Sequence, residues 1–188
     1  MKKILISLVA MVATAIIWPT FAATEITPLA AFAETSWSGR PAANAISNSG
    51  LSDGLQGTDA STMWMGSNSG NTGGASFAKW FVVDLGSVRP LGNMKVWNFN
   101  MVGYPKRGLK KIDVYVADTD AVFSGTPDFT DTATWTLSKE DLVLSMAPGS
   151  ADYAGETACN FGGTEARWVG FWIDELFESS DDWSAGGG

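Results

Sequence analysis

Polar and apolar residues alternate with period two over several short stretches, and no stretch keeps a helical period of 3.6. In "KKIDVYVA", residues 110–117, Ile112, Val114 and Val116 alternate with Asp113 and Tyr115, as a half-buried strand requires. "KWFVVDL" (79–85), "NMKVWNF" (93–99), "ETACNF" (156–161) and "RWVGFWI" (167–173) are equally rich in Val, Ile, Phe and Trp and are predicted as strands. Turn-forming Gly, Ser, Asn, Asp and Pro fill the gaps, as in "SNSGLSDGLQG", "MVGYPKRG" and "APGSADYAGE". Short strands between turn-rich loops predict an all-β, antiparallel sandwich or jelly roll. "KEDL", residues 139–142, reads as an ordinary turn.

The first residues differ from the rest. "MKK" is followed by an apolar run of fifteen, "ILISLVAMVATAIIW", and then by small residues at Thr20 and Ala22. This is the layout of a secretory signal peptide cleaved after Ala22, and it places the mature chain outside the bacterial cytoplasm. Residues 23–43 are expected to hold a lead-in and first strand, 44–175 the sandwich, and 176–188 a flexible acidic, glycine-rich end. With 188 residues, 45% of them hydrophobic, the chain is long enough for one domain with a proper core.

Composition then removes several kinds of chemistry. There is no histidine, which excludes Ser-His-Asp and Cys-His catalysis and histidine-ligated zinc. The single cysteine, Cys159, forms no internal disulfide and reads as a strand residue. Loss of residues 1–22 takes Lys2 and Lys3 and moves the formal charge from −8 to −10. An acidic surface argues against nucleic acid and against anionic membranes. The glycine-rich "GSNSGNTGG", residues 66–74, lacks the Lys-Ser/Thr ending of a phosphate loop. The acidic run "DELFESSDD" reads as a solvated loop and not as the carboxylate pair of a glycosidase.

Four segments in order, "DASTMW", "WFVVDLG", "VWNFN…RGLKKIDVYVA" and "ARWVGFWI", resemble the discoidin, or coagulation factor 5/8 type C, family and in particular its bacterial carbohydrate-binding modules. The resemblance covers about residues 44–175. It implies a galactose-binding-like β-sandwich (a jelly roll of about eight antiparallel strands) with ligands held by loops at one end. It also implies a structural calcium in the "TDASTMW" loop. Calcium takes six to eight oxygens at about 2.3–2.6 Å. Asp59 and Thr62 are the ligands the motif suggests, with Asp53 in "LSDG" as a further one. The alternative is that Asp59 caps a turn, Thr62 satisfies a local backbone group and Trp64 is core. The family's closing strand, with its Gly-Leu-Ser-Glu-Val, has no counterpart before Gly188, so truncation is expected.

Eight of the nine tryptophans follow residue 22. Trp80, Trp97 and Trp168 lie in strand runs and are expected to be buried, whereas Trp37, Trp183 and Tyr104 sit in loop-like surroundings that suit stacking on a sugar ring. The polar partners are expected in "WNFNMVGYPKRG", where Asn98, Asn100 and Arg107 offer donors and an acceptor for vicinal hydroxyls or a carboxylate. Arg107 can equally hold the loop. The function these features suggest is a secreted, non-catalytic, monomeric glycan-binding module. The alternatives are an extracellular adhesion domain binding surface proteins, or the binding module of a longer, truncated glycoside hydrolase.

Overall fold

The computed structural model describes residues 24–66, 78–119 and 121–177. The leader, the glycine-rich stretch 67–77, the acidic end and Trp183 therefore lie outside the described residues. Among the described residues nine strands run in the order β1 (Ala30–Ala33), β2 (Leu51–Ser52), β3 (Leu55–Gln56), β4 (Trp80–Pro90), β5 (Asn93–Val96), β6 (Leu109–Ala117), β7 (Thr136–Val143), β8 (Glu156–Asn160) and β9 (Glu165–Leu176). Only short 3-10 turns interrupt them, and no α-helix occurs among the described residues. The all-β expectation holds.

The main sheet has five antiparallel strands in the order β1-β4-β9-β6-β7, and β5-β8 and β2-β3 form two separate pairs. The five predicted strands all appear, with ends that coincide or differ by up to five residues. "KEDL" is a correction: it belongs to β7, and Asp141 takes φ 51° at a break in the register with β6. A turn composition inside a strand is what an edge bulge produces, and the charges of Lys139, Glu140 and Asp141 guard that edge against further pairing.

The two faces of the main sheet follow from the alternation. Phe81, Val83, Ile112, Val114, Val116, Val169 and Ile173 form the inner core, and Met94 and Val96 of β5 with Ala158 and Cys159 of β8 pack onto it from the second layer. This is the sandwich. Burial pushes the Cys159 thiol pKa up, so the thiol stays protonated and behaves as packing.

The outer face is covered as well. Trp80, Val82, Ala117, Trp135 and Trp168 form a second cluster, closed by Phe123 and Phe129 from the β6–β7 connection. Phe129 stacks on Tyr115 at 4.5 Å between ring centroids and meets Trp135 edge-on at 5.0 Å. Gly170 makes this possible, because a Cβ there would run into the Phe129 ring and come 3.1 Å from Trp135. Gly170→Val is expected to cost about 1–3 kcal/mol by overpacking. Urea denaturation checks this, and an unchanged midpoint would show that the connection does not pack here.

Candidate functional site

β4 and β6 begin, and β1 and β9 end, at one end of the sandwich. The loops that carry most of the predicted site residues gather there. Trp37, just beyond β1, donates its backbone N–H to Met65 O at 2.8 Å. Met65 packs with Met63, Ala60, Phe99 and Met101. Tyr104 N–H in turn donates to Met101 O at 3.1 Å. A methionine-rich cluster thus ties the Trp37 loop to the Tyr104 loop. Arg40 reinforces the tie, with its guanidinium 6.0 Å from the Phe99 centroid and Nη1 3.2 Å from Met65 Sδ.

Trp37 and Tyr104 remain 44% and 46% exposed, so both rings are open to solvent. The Arg107 guanidinium lies 4.4 Å from the Tyr104 ring centroid. A cation held against an aromatic face gains roughly 0.5–1 kcal/mol at an exposed site and fixes the ring's orientation. The two loops thus carry two exposed aromatic rings, one of them with a guanidinium over it.

Asn98 and Asn100 correct the expectation. Both are buried. Asn98 Nδ2 donates to Leu109 O at 2.6 Å and Ser145 O at 2.9 Å, while its Oδ1 accepts from the N–H groups of Phe99 and Leu109, each at 2.9 Å. Asn100 Nδ2 donates to Gly57 O and Ser150 O at 3.0 and 2.7 Å, and its Oδ1 accepts from Gly149 N–H at 2.8 Å. Amides engaged in this way cannot reach a ligand. They fasten the Gly57, Ser145 and Gly149–Ser150 loops from beneath. Gly108 permits the approach, since a Cβ there would lie 2.5 Å from Asn98 Oδ1.

The "TDASTMW" loop is closed by its own bonds. Asp59 caps a 3-10 turn, Ala60–Thr62, its Oδ1 accepting from Ser61 N–H at 2.9 Å and from the Ser61 hydroxyl at 2.7 Å. Those bonds, the hydroxyl's first, hold the Asp59 pKa below the ordinary value. The Thr62 hydroxyl donates to Asp59 O at 2.7 Å and packs where a Cβ on Gly50 would stand. Trp64 is half-buried, 4.7 Å from the Phe81 ring. Asp53 occupies a different place. With Gly54 it forms the two-residue turn of the β2–β3 hairpin, at φ 52° and 76°, exposed at the tip while Thr62 sits against the base at Gly50. Asp59 and Thr62 are thus bonded within one turn, while Asp53 belongs to the separate turn between β2 and β3.

Carboxylates converge elsewhere. Asp113 on β6, Asp141 on β7 and Asp174 on β9 bring oxygens within 4.8 Å of one another, and such a group could hold a metal ion. Asp113 Oδ1 also accepts the Asp141 N–H at 2.8 Å, and Lys111 Nζ lies 3.0 Å from Asp141 Oδ1. Burial, then the Asp113 charge, pushes the Asp174 pKa up. Sequence reading missed this group because its members are far apart along the chain. The signal present was Asp113 alternating with Ile112 and Val114. Trp172, directly opposite Asp113 and 38% exposed, was missed with it.

No family model matches the chain, and no curated protein does. Among solved structures it is similar to a family 89 glycoside hydrolase from Clostridium perfringens in complex with 2-acetamido-1,2-dideoxynojirmycin, at 17% identity and TM-score 0.47, over 82% of this chain and 13% of that chain. It is also similar to a GH31 CBM32-2 module bound to GalNAc, at 15% identity and TM-score 0.44, over 80% of this chain and 88% of the module. The likeness is one of fold. The chain spans about an eighth of the hydrolase's length.

Proposed function

We propose that the protein is a secreted, non-catalytic carbohydrate-binding module with its sugar site on the Trp37 and Tyr104 loops. The observation that carries this reading is the exposed Tyr104 ring, backed by Arg107 at 4.4 Å. The loop bearing both is fastened below by Asn98 and Asn100. A ring held in one orientation before the ligand arrives loses little freedom on binding, and its flat face complements the C–H face of a pyranose. Arg107, held over the ring, adds a fork of donors for hydroxyls or a carboxylate. Trp37 offers a second platform, tied to the first through Met65. The surface is open, so binding is shallow and reaches one or two sugar units.

A glycan array probed with the full chain tests the reading, and failure of a folded sample to bind any glycan would refute it. On the best-bound glycan, Tyr104→Ala is expected to weaken affinity by about tenfold or more, roughly 1.4 kcal/mol. Its melting temperature should be that of the parent, because the side chain is exposed. Equal loss of binding and stability would instead show that Tyr104 is structural. Chromogenic glycosides are expected to remain uncleaved.

A structural calcium belongs to the same reading, and two places compete for it, the Asp59–Thr62 loop and the Asp113, Asp141 and Asp174 group. Melting at saturating calcium and with chelator decides. A midpoint rise abolished by Asp174→Asn puts the ion in the carboxylate group, and one abolished by Asp59→Asn puts it in the loop. Identical midpoints would remove the metal.

A further inference from the structure

The methionines are unevenly placed. Of the five that follow residue 22, three, Met63, Met65 and Met101, meet at the loop end of the sandwich, packed with Ala60 and Phe99. Met94 packs on the inner core, and Met146 lies outside the clusters, 46% exposed.

Two of the three clustered thioethers also accept hydrogen bonds. Met63 Sδ accepts from the buried Asn100 N–H at 3.3 Å, and Met65 Sδ accepts from Arg40 Nη1 at 3.2 Å. Their backbones carry the loops as well. Met65 O takes the Trp37 N–H at 2.8 Å, Met63 O takes Asn44 Nδ2 at 3.1 Å, and Met101 O takes the Tyr104 N–H at 3.1 Å. Sulfur therefore sits at the joint between the segment that bears Trp37 and the one that bears Tyr104. Met63 and Met65 are 5% and 7% exposed, whereas Met101 is half-buried, so a solute enters the cluster at Met101.

A thioether suits such a cluster because it is soft and apolar; a sulfoxide is polar and chiral and does not. The side chains of Ala60, Met63, Met65 and Phe99 offer the new oxygen no donor, and Arg40 is engaged with Met65 and Phe99. Burying a polar oxygen without a partner is costly, so an oxidised Met101 side chain leaves the cluster for solvent.

We propose that the Met63, Met65 and Met101 cluster is a site of reversible oxidation by peroxides, entered at Met101, which loosens the Trp37 loop from the Tyr104 loop. The consequence for ligand rests on the sugar-site reading above: two platforms held in one arrangement become independent, and affinity falls because they must be ordered again on binding. In the chemical step the Met101 sulfur attacks a peroxide oxygen. The O–O bond breaks, an S–O bond forms, and the proton of the attacked oxygen passes to the departing one, which leaves as water or an alcohol. Sulfur is oxidised by two electrons and the peroxide is reduced by two. Cys159 competes poorly, since its thiol stays protonated.

The test titrates the full, isotopically labelled chain with hydrogen peroxide. Peptide mass spectrometry places each added oxygen, and amide exchange reads the loops. Met146 is the exposed reference, and its oxidation alone should leave exchange unchanged. Once Met101 is oxidised, exchange of the Trp37 and Tyr104 amides is expected to accelerate by about tenfold or more, with the amides of Ile112 and Val169 unchanged. Met101→Leu, which conserves volume without a sulfur, should abolish the acceleration at the same dose, and Met146→Leu should leave it intact. Treatment with both stereospecific methionine sulfoxide reductases should restore the parent's exchange. On the best-bound glycan the oxidised chain is expected to bind about threefold or more weakly.

Five results would overturn the proposal: Met101 resisting peroxide after Met146 is fully converted; Met101 oxidised without faster loop exchange; the same acceleration in Met101→Leu; acceleration that spreads through β6 and β9, which is global unfolding; or loops that stay loose after the reductases have removed the oxygen. Unchanged glycan affinity in a chain with loosened loops would remove the regulatory role. An array without any bound glycan refutes the sugar reading and leaves the exchange results to decide the oxidation site.

Discussion

Replacing Arg167 with alanine is expected to lower folding stability by about 3–5 kcal/mol, because it leaves the Asp84 carboxylate buried without its counter-ion. The pair is bidentate, with Nε to Oδ1 at 2.8 Å and Nη2 to Oδ2 at 2.9 Å, and both side chains are largely buried, at 12% and 6% exposure. Gly86 N–H adds a third bond to Asp84 Oδ1, at 2.7 Å, and the guanidinium also lies 4.9 Å from the Trp168 ring centroid. Chemical denaturation of Arg167→Ala measures the loss. The double replacement Asp84→Leu with Arg167→Met should be far less damaging, since an apolar pair of similar volume avoids the desolvation of both ions. A double variant as unstable as the single one would show that shape and not charge dominates.

The same pair sets a pH dependence. The Arg167 hydrogen bonds, outweighing burial, hold the Asp84 pKa below its ordinary value of 3.8. The folded state therefore binds that proton less readily than the unfolded state. The contribution is fully present above the unfolded carboxylate range and is lost as pH falls through the lower folded value. Acid unfolding should accordingly lose its steepest part in the charge-free double variant.

Trp168→Ala is expected to cost about 3–5 kcal/mol as well, by a different route. Trp168 is 1% exposed, and its ring lies 6.0 Å from Phe123 and 6.5 Å from Phe32. Its Nε1 donates to the carbonyls of Thr119 and Ala121 at 3.1 and 3.2 Å, which pins the start of the β6–β7 connection to the sheet. Removal leaves a void that Phe123 cannot fill without releasing Phe32, and it orphans two carbonyls. The expected result is a lower denaturation midpoint together with faster amide exchange across residues 121–135. Loss of stability without that local change would place the cost in the cavity alone. Trp168→Phe, which keeps an aromatic ring but loses the donor and part of the indole's volume, should recover part of the loss.

The strands were legible because their signal is local. Alternation in "KKIDVYVA" and the aromatic density of "KWFVVDL" and "RWVGFWI" reflect a period of two that each segment carries by itself. Exposure of Trp37 and Tyr104 was legible for the same reason: a large ring among turn residues has no strand neighbours to bury it. The Asp53-Gly54 hairpin could have been read from its dipeptide alone.

Roles that depend on distant partners were not legible. Asn98 and Asn100 have the composition of a binding loop. Their partners Ser145 and Ser150 lie 47 and 50 residues away, and only the folded chain shows that the amides face inward. Asp84 and Arg167 stand 83 residues apart and meet because β4 and β9 are antiparallel neighbours, with Asp84 opposite Trp168 where their register breaks. The same adjacency of β6, β7 and β9 assembles Asp113, Asp141 and Asp174. The sequence by itself determined a β chain without histidine chemistry and with aromatic loops. Tertiary structure alone decided which polar side chains fasten the loop end of the sandwich from within and which groups are left facing solvent, because hydrogen-bond satisfaction and charge pairing are properties of strand order and not of neighbours along the chain.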